Sequence, residues 1–441
     1  MNIENLKTLL RENGVVGAGG AGFPTYAKLD KRADTLILNC AECEPLLRLH
    51  RQVLEMHTTE ILSTLDLISK TVGAKTVYIG IKGSYKRTFE AVKSEMASFN
   101  NMKICTLPEV YPAGDEVVLT YEATGRVVKA GQIPLSVGVT VLNVETVYNV
   151  YRALEGKPVT HKYVTVAGEV KNPLTVYAPI GVTVGELIAL AGGSTIEDPA
   201  YIIGGPMMGS LGTASQTVTK TTNAVLVLPK NLPLVLKKTS KPVIDMKRAM
   251  SACCQCNYCT SLCPRHLLGH PIDPSAFMLA ASNGVTNNAA PYVNSMFCSG
   301  CGLCEMYSCG QGLSPRTLLA VCKSGLRVNG LKPPKNPEMR DVDSARDYRM
   351  IPVSRLRSRL GLNPYNKSAP VTNEEMKPKK VRISTSQHIG APAVPVVKKG
   401  DVVTAGQIIA SAAEDALSVS IHSSVNGKVT EITDRSITIT L

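Results

Sequence analysis

Between residues 253 and 309 the chain sets eight cysteines in two runs, Cys253-x2-Cys256-x2-Cys259-x3-Cys263-Pro264 and Cys298-x2-Cys301-x2-Cys304-x4-Cys309. Nothing else in the sequence constrains folding as much. In the first spacing three thiolates share one tight loop and cap one [4Fe–4S] cluster, while the fourth is carried to a second cluster. By that crossing rule Cys253, Cys256, Cys259 and Cys309 form one set, and Cys298, Cys301, Cys304 and Cys263 the other. The second run departs from the pattern in its four-residue gap and in having no proline behind it, so Cys322 competes with Cys309. Zinc also takes tetrahedral thiolate sets, but its motifs rarely stack three cysteines at this spacing twice, and iron–sulfur is the better fit. Cys40, Cys105 and Cys254 lack a spacing partner and read as small buried hydrophobes. Cys43 forms a C-x-x-C with Cys40, although its neighbours suggest another role.

The chain has 13 cysteines in 441 residues. Its start, MNIENLKTLLRENG, lacks the apolar core and cleavage site of a secretory signal, so a cytoplasmic location is expected and disulfides are not. No apolar run is long enough to span a bilayer. The net charge of +13 is unevenly spread, with sixteen Lys/Arg against six Asp/Glu between Arg316 and Arg382. That stretch is rich in Pro and Asn and poor in apolar periodicity, and reads as a mostly extended surface linker. A docking surface for an acidic partner comes second. Nucleic acid comes a distant third, because no stacking aromatics interleave with the charges.

The first 150 residues alternate helical and strand patterns: a helix over Ile3–Glu12, a strand over Thr35–Asn39, a helix over Glu60–Val72 and a strand over Thr76–Ile81. Alternation of this kind predicts an α/β domain with a mainly parallel sheet. Ile3, Leu6, Leu9 and Leu10 share one face of the first helix, which is expected to pack on its own domain. After Pro158 comes a β-rich module with one helix: Tyr163–Val170, Thr175–Tyr177, Val184–Ala191, and a further strand at Ala224–Leu228. Beyond the basic stretch, short alternating strands separated by Gly turns (around Val402–Ala410 and Ile421–Ile432) look like a barrel–sandwich hybrid of the biotinyl/lipoyl type. The segment Ser411–Ser418 has no lysine to modify, so a structural or docking role is expected there. The fold class is therefore multidomain α/β, with domains at 1–157, 158–240, 241–330 (the ferredoxin-like cysteine region) and 381–441, and a basic linker at 331–380.

Gly17-Ala-Gly19-Gly20-Ala-Gly22-Phe23 formally contains G-x-G-x-x-G, yet it follows a helix where a dinucleotide fingerprint must follow a strand. Dense glycines still allow backbone N–H groups to approach a phosphate or a flat ring. The strings GAGGAGFPTYAKL, LILNCAECEPLLRLHRQVL, YPAGDEVVLTY and VLNVETVYNV resemble, in order and spacing, the flavin- and NADH-binding subunit of respiratory complex I and the C subunit of Rnf complexes. The resemblance implies that Gly17, Gly19, Gly20, Gly22, Phe23 and Lys28 cradle FMN, that Asn39, Glu42 and Glu44 line the same pocket and that Asn143 closes it. It further implies that Asp115 and Glu116, in the place of the family's paired glutamates, contact the nicotinamide dinucleotide; Asp in place of Glu shortens one arm. The segment VTVAGEVKNPLTVYAPIGVTVGELIALAGG resembles the soluble-ligand-binding β-grasp (SLBB) module of the same families. GGPMMGSLG, Gly204–Gly212, comes after it; Met207 and Met208 could face a cofactor, but core packing is the expected role.

Rnf C subunits carry the barrel–sandwich module first, whereas here it comes last, an order that resembles the cobalamin reductases of propanediol-utilising bacterial microcompartments. This second resemblance implies an oxidoreductase that takes electrons from NADH through FMN and two [4Fe–4S] clusters to cobalamin. The implied partners are cobalamin or a cobalamin-adenosylating enzyme and a microcompartment shell protein, with the protein inside the microcompartment. The alternatives are an Rnf-like NADH:ferredoxin subunit and a cluster-binding relay without NADH activity of its own. No residue is assigned as a general acid or base, because such a chain tunes and positions cofactors.

Overall fold

The computed structural model describes all 441 residues. Four strands with nearly continuous apolar runs form a parallel sheet in the order Met102–Leu107, Thr76–Lys82, Thr35–Cys40, Val139–Asn143. Runs such as TLILNC suit a sheet covered by helices on its faces. The helix Ile3–Glu12, capped by Asn2, buries Leu6 and Leu10 completely in this domain. Chain order reverses between Thr35–Cys40 and Val139–Asn143, which places a crevice at the carboxyl ends of those two strands. Asn39 and Asn143 face each other there in register.

The next sheet runs Leu174–Pro179, His161–Gly168, Ala224–Pro229, Pro199–Ile203, Ser210–Gly212, with the helix Val184–Leu190 started by a capping box of Thr183 and Glu186. The return strand Ala224–Pro229 enters the middle of this sheet, parallel to one neighbour and antiparallel to the other. A fully buried ion pair, Glu145 with Lys162, joins this domain to the first, and the Tyr163 N–H donates to Glu145 at 3.0 Å.

The cysteine region is helical. Pro242–Ala252, Pro274–Ser282 and Pro315–Val328 pack around Phe277, Phe297, Leu318 and Leu319. The C-terminal domain is two small sheets, Lys380–Ser384/Ser436–Thr440/Gly427–Thr433/Val402–Val403 and Val394–Pro395/Ile408–Ser411/Ile421–His422. It leans on the first domain: Arg11 donates to the Ala413 carbonyl at 2.6 Å, and the buried Lys220 donates to the carbonyls of Gly14 and Ser420 at 2.7 and 3.1 Å.

Three expectations need correction. Met208 does not pack in the core; it is 55% exposed, because it sits on a loop at the rim of a large cavity. The stretch 331–380 is not simply an extended linker, because Ile351–Pro352 pairs with Val110–Tyr111 and Val353–Arg359 is a helix. Ile351, Leu356, Leu360 and Leu362 are too few for a periodic signal, but all are buried with Tyr111 and Met207. Cys254 is not a buried hydrophobe; it is exposed on the first cysteine loop.

Candidate functional site

At the strand ends each asparagine is held by its own backbone surroundings. Asn143 Oδ1 caps the helix Val144–Leu154, accepting from Glu145 N at 3.0 Å, and its Nδ2 meets His50 Nε2 at 3.1 Å. Asn39 accepts from Ala41 N and donates to the Gly114 carbonyl, both at 3.0 Å. The glycine loop arches over this pair. Gly17 N donates to the Phe23 carbonyl and Ala18 N to Thr146 Oγ1, each at 2.9 Å, while the amides of Gly19 to Gly22 find no protein acceptor. A Cβ on Gly19 would lie 2.8 Å from Asn143 Nδ2, and Gly22 (φ +72°) would meet Thr221 at 2.9 Å. Neither position accepts a side chain in this backbone.

Beneath the loop lies a cavity of about 250 Å³ between Gly17, Gly19, Phe23 and Lys28 on one side and Ile133–Leu135 on the other. It continues past Asn39 and Asn143 into a cavity of about 530 Å³ that reaches Arg265, Ser299 and Cys301. All the residues singled out by the resemblance line this run of cavities: Gly17, Gly19, Gly20, Gly22, Phe23, Lys28, Asn39, Glu42, Glu44, Asp115, Glu116 and Asn143. Their partners differ. Lys28 pairs with Glu116 at 2.6 Å. Burial pushes the Glu42 carboxyl up to about 7; one oxygen accepts the His50 N–H at 3.2 Å and the other has no partner. Burial also pushes His50 down to about 3, so its ring is neutral beside Glu42.

Glu44 and Asp115 are committed to the protein itself. Glu44 accepts the amides of Met207 and Met208, both at 2.8 Å, and so pins the GGPMMG loop; Met207 is buried and Met208 faces the large cavity. Asp115 caps the helix Glu116–Thr124 and takes both Arg265 Nη2 contacts at 2.8 Å, a bridge from the first domain to the residue two after Cys263. His50 and Arg265 escaped sequence reading, since no spacing ties either to the glycine loop.

The cysteines sort into two places. Cys253, Cys256, Cys259 and Cys309, with Cys254 at the rim, line a cavity of about 320 Å³. Cys263, Cys298, Cys301 and Cys304 line a second, tighter one. Cys322 lies in neither and points its thiol at the Tyr292 carbonyl. Backbone amides aim at the sulfurs: Gly300 N donates to Cys298 at 3.4 Å and Leu313 N to Cys309 at 3.3 Å. Burial pushes the Cys263 and Cys301 thiols up to about 12, so their thiolates need a compensating cation such as iron. No three His, Cys, Asp or Glu side chains converge as tightly as a single metal ion requires; the thiols stand around cavities instead. The donor set, its spread and the amides directed at sulfur fit iron–sulfur clusters, and the side-chain-free loop with unsatisfied amides fits a flavin phosphate.

Comparison with known proteins agrees domain by domain. Residues 10–152 match the Nuo51 FMN-binding domain, 163–210 the SLBB domain, 252–314 the 4Fe-4S dicluster domain and 361–440 the RnfC barrel sandwich hybrid domain. Fold and site together define a flavin and iron–sulfur oxidoreductase with FMN and two [4Fe–4S] clusters as its cofactors. The chain is 39% identical to the cobalamin reductase PduS of Salmonella typhimurium, over 100% of this chain and 97% of that protein, and 39% identical to PduS of Citrobacter freundii over 99% and 96%. It belongs to the PduS family. The C subunit of the Na(+)-translocating ferredoxin:NAD(+) oxidoreductase complex of Acetobacterium woodii is 33% identical over 60% of this chain and 59% of that one. No helix is long and apolar enough to cross a membrane.

Proposed function

We propose that this protein oxidises NADH and delivers the electrons singly to cobalamin, bringing it to cob(I)alamin for adenosylation. The observation that carries this reading is the unbroken run of cavities from the glycine loop to Cys301, with the first cysteine set beyond it at the surface. FMN, when bound, takes the two electrons of a hydride together and releases them one at a time. The amides of Gly19 to Gly22 and the Lys28 ammonium hold its phosphate. Glu42, unpartnered at one oxygen, stands where it can hold a proton or accept a hydrogen bond from a bound ring or ribose. Glu44 acts at one remove, by fixing the loop that carries Met208. Cys263, Cys298, Cys301 and Cys304 hold the cluster nearer the flavin crevice, and Cys253, Cys256, Cys259 and Cys309 the outer one. Asp115, clamped by Arg265, positions the two domains, while Glu116 remains at the cavity for the dinucleotide. The partners of this reading are a cobalamin-adenosylating enzyme and, within a microcompartment, a shell protein.

The test is anaerobic NADH oxidation by the FMN- and iron-reconstituted protein, with cob(II)alamin and a ferredoxin compared as acceptors. Faster turnover with cob(II)alamin is expected; turnover with ferredoxin alone would favour the Rnf-like role. Replacing Gly20, whose φ of +107° opens onto the cavity, by Glu should abolish FMN binding while leaving iron content intact. FMN retained in Gly20→Glu would remove the loop from the flavin site.

A further inference from the structure

We infer that the face formed by the helix Pro242–Ala252 and the first cysteine loop is a docking surface for an acidic protein that relays the electrons onward to cobalamin, an inference that rests on the electron-transfer reading above. Val243, Lys247 and Met250 are four and three residues apart and so share one stripe of the helix. The stripe is open to solvent, with Val243 69% and Met250 63% exposed. It leads toward Cys254 on the rim of the first cysteine cavity, and Tyr258 on the same loop is 60% exposed. The opposite side of the helix is already occupied: Ala249 and Asp245 are buried, and the helix packs on Pro274–Ser282 and Pro315–Val328. Clustered exposed apolar side chains mark interaction sites more often than chance.

Charge names the partner. Each of the three carboxylates between residues 241 and 330 is turned inward and hydrogen-bonded: Asp245 to Ser240 Oγ at 2.8 Å, Asp273 to Thr260 Oγ1 at 2.6 Å, and Glu305 to Thr317 N at 2.8 Å. Lys241, Lys247, Arg248 and Arg327 are exposed. Residues 241–330 therefore turn cations and no carboxylate outward around an apolar centre, the anatomy of an interface whose complement is acidic. An anionic lipid surface would answer the same charges, but the stripe runs to the cysteine cavity, where a redox protein gains from contact and a lipid does not. The second cysteine set lies under Tyr111, Met207 and Arg265 and opens toward the flavin crevice, so it is the entry side. Electrons balance simply: each NADH becomes NAD+ and H+, and two partner molecules gain one electron each, with no bond formed to this chain.

The test uses reconstituted full-length protein, NADH as donor and flavodoxin, an acidic one-electron carrier, as the probe. NADH-to-dye activity and iron content are measured alongside. At low ionic strength the Lys247→Glu/Arg248→Glu double variant should reduce flavodoxin at least about tenfold more slowly than wild type, as expected for a lost steering patch. Met250→Asp should also be slower, while Lys399→Glu, on the C-terminal domain, should not be. Wild-type rates should fall with added salt and the double variant's should not. Equal, salt-insensitive rates in wild type and double variant, with dye activity intact, would overturn the docking surface alone. Wild-type protein that fails to oxidise NADH with the dye would instead overturn the reading it rests on. Phosphatidylglycerol vesicles provide the remaining arm: pelleting lost in the double variant, with flavodoxin rates unchanged, would give this face to a membrane and defeat the proposal.

Discussion

The two cysteine loops share a backbone and differ in almost everything around it. In the first, Gln255 and Asn257 adopt left-handed φ values of 53° and 64°; in the second, Gly300 and Gly302 do the same at 75° and 83°, at the same offsets from the leading cysteine. Side chains other than glycine adopt that conformation at some cost. The first loop is exposed and can let Gln255 and Asn257 project into water. The second lies beside Met207 and beneath the large cavity, and glycine fills both of its left-handed positions; a Cβ on Gly302 would sit in ordinary contact with Met207 Cε at 3.5 Å, so its backbone conformation rather than space favours glycine. One ligand geometry thus serves two positions, an inner one facing the flavin crevice and an outer one facing the solvent.

Breaking the inner set should have the largest effect. Cys301→Ser should abolish cobalamin reduction and lower iron by about four of the roughly eight atoms that two clusters require, with NADH-to-dye turnover retained; loss of dye turnover as well would place the flavin's support in the same cluster. Next comes the bridge that holds the inner set against the first domain. Arg265→Gln leaves the Asp115 carboxylate, 11% exposed, without its ion partner and should cost about 4 kcal/mol in urea unfolding. Lysine, which lacks the two-pronged guanidinium, should restore only part of it.

The inner side also carries a pH dependence through Glu42. Because burial raises Glu42 from 4.5 to about 7 in the folded protein, the folded state holds a proton that the unfolded chain has released between those values. Stability from this group is therefore full below about pH 4.5 and lost as pH rises through about 7, by at most about 3 kcal/mol. Glu42→Gln should flatten that slope in thermal unfolding of the protein without added FMN; an unchanged slope would show that Glu42 is not the group responsible. The smallest effects fall on the left-handed residues. Gly302→Ala should destabilise by about 1–2 kcal/mol, whereas Gln255→Gly should be neutral or stabilising by about 0.5 kcal/mol. A Gly302→Ala protein as stable as wild type would erase the distinction between the loops.

What could be read in the sequence depends on the range of the interaction. Cysteine ligands at x2 spacing act within one loop, so spacing alone groups Cys253, Cys256 and Cys259, and the same holds for the glycine loop and for helices such as Ile3–Glu12, whose cap and buried face lie within ten residues. Asp115 with Arg265, and Glu44 with the amides of Met207 and Met208, join positions 150 or more residues apart. Those contacts arise only when domains dock, and they give Glu44 and Asp115, which also line the large cavity, protein partners that spacing could not reveal. The stretch around Ile351–Leu362 was hidden for the same reason: its few apolar residues acquire meaning only against Tyr111 and Met207.

The serial placement of flavin crevice, inner set and outer set is tested most directly by rapid freezing after anaerobic NADH addition, with reduced clusters counted by electron paramagnetic resonance in Cys256→Ser and Cys301→Ser proteins, each checked for a remaining dithionite-reducible cluster. Cys256→Ser should still reduce its remaining inner cluster at the wild-type rate, while the outer cluster of Cys301→Ser should stay oxidised on that timescale. An outer cluster reduced by NADH as fast in Cys301→Ser as in wild type would contradict the series.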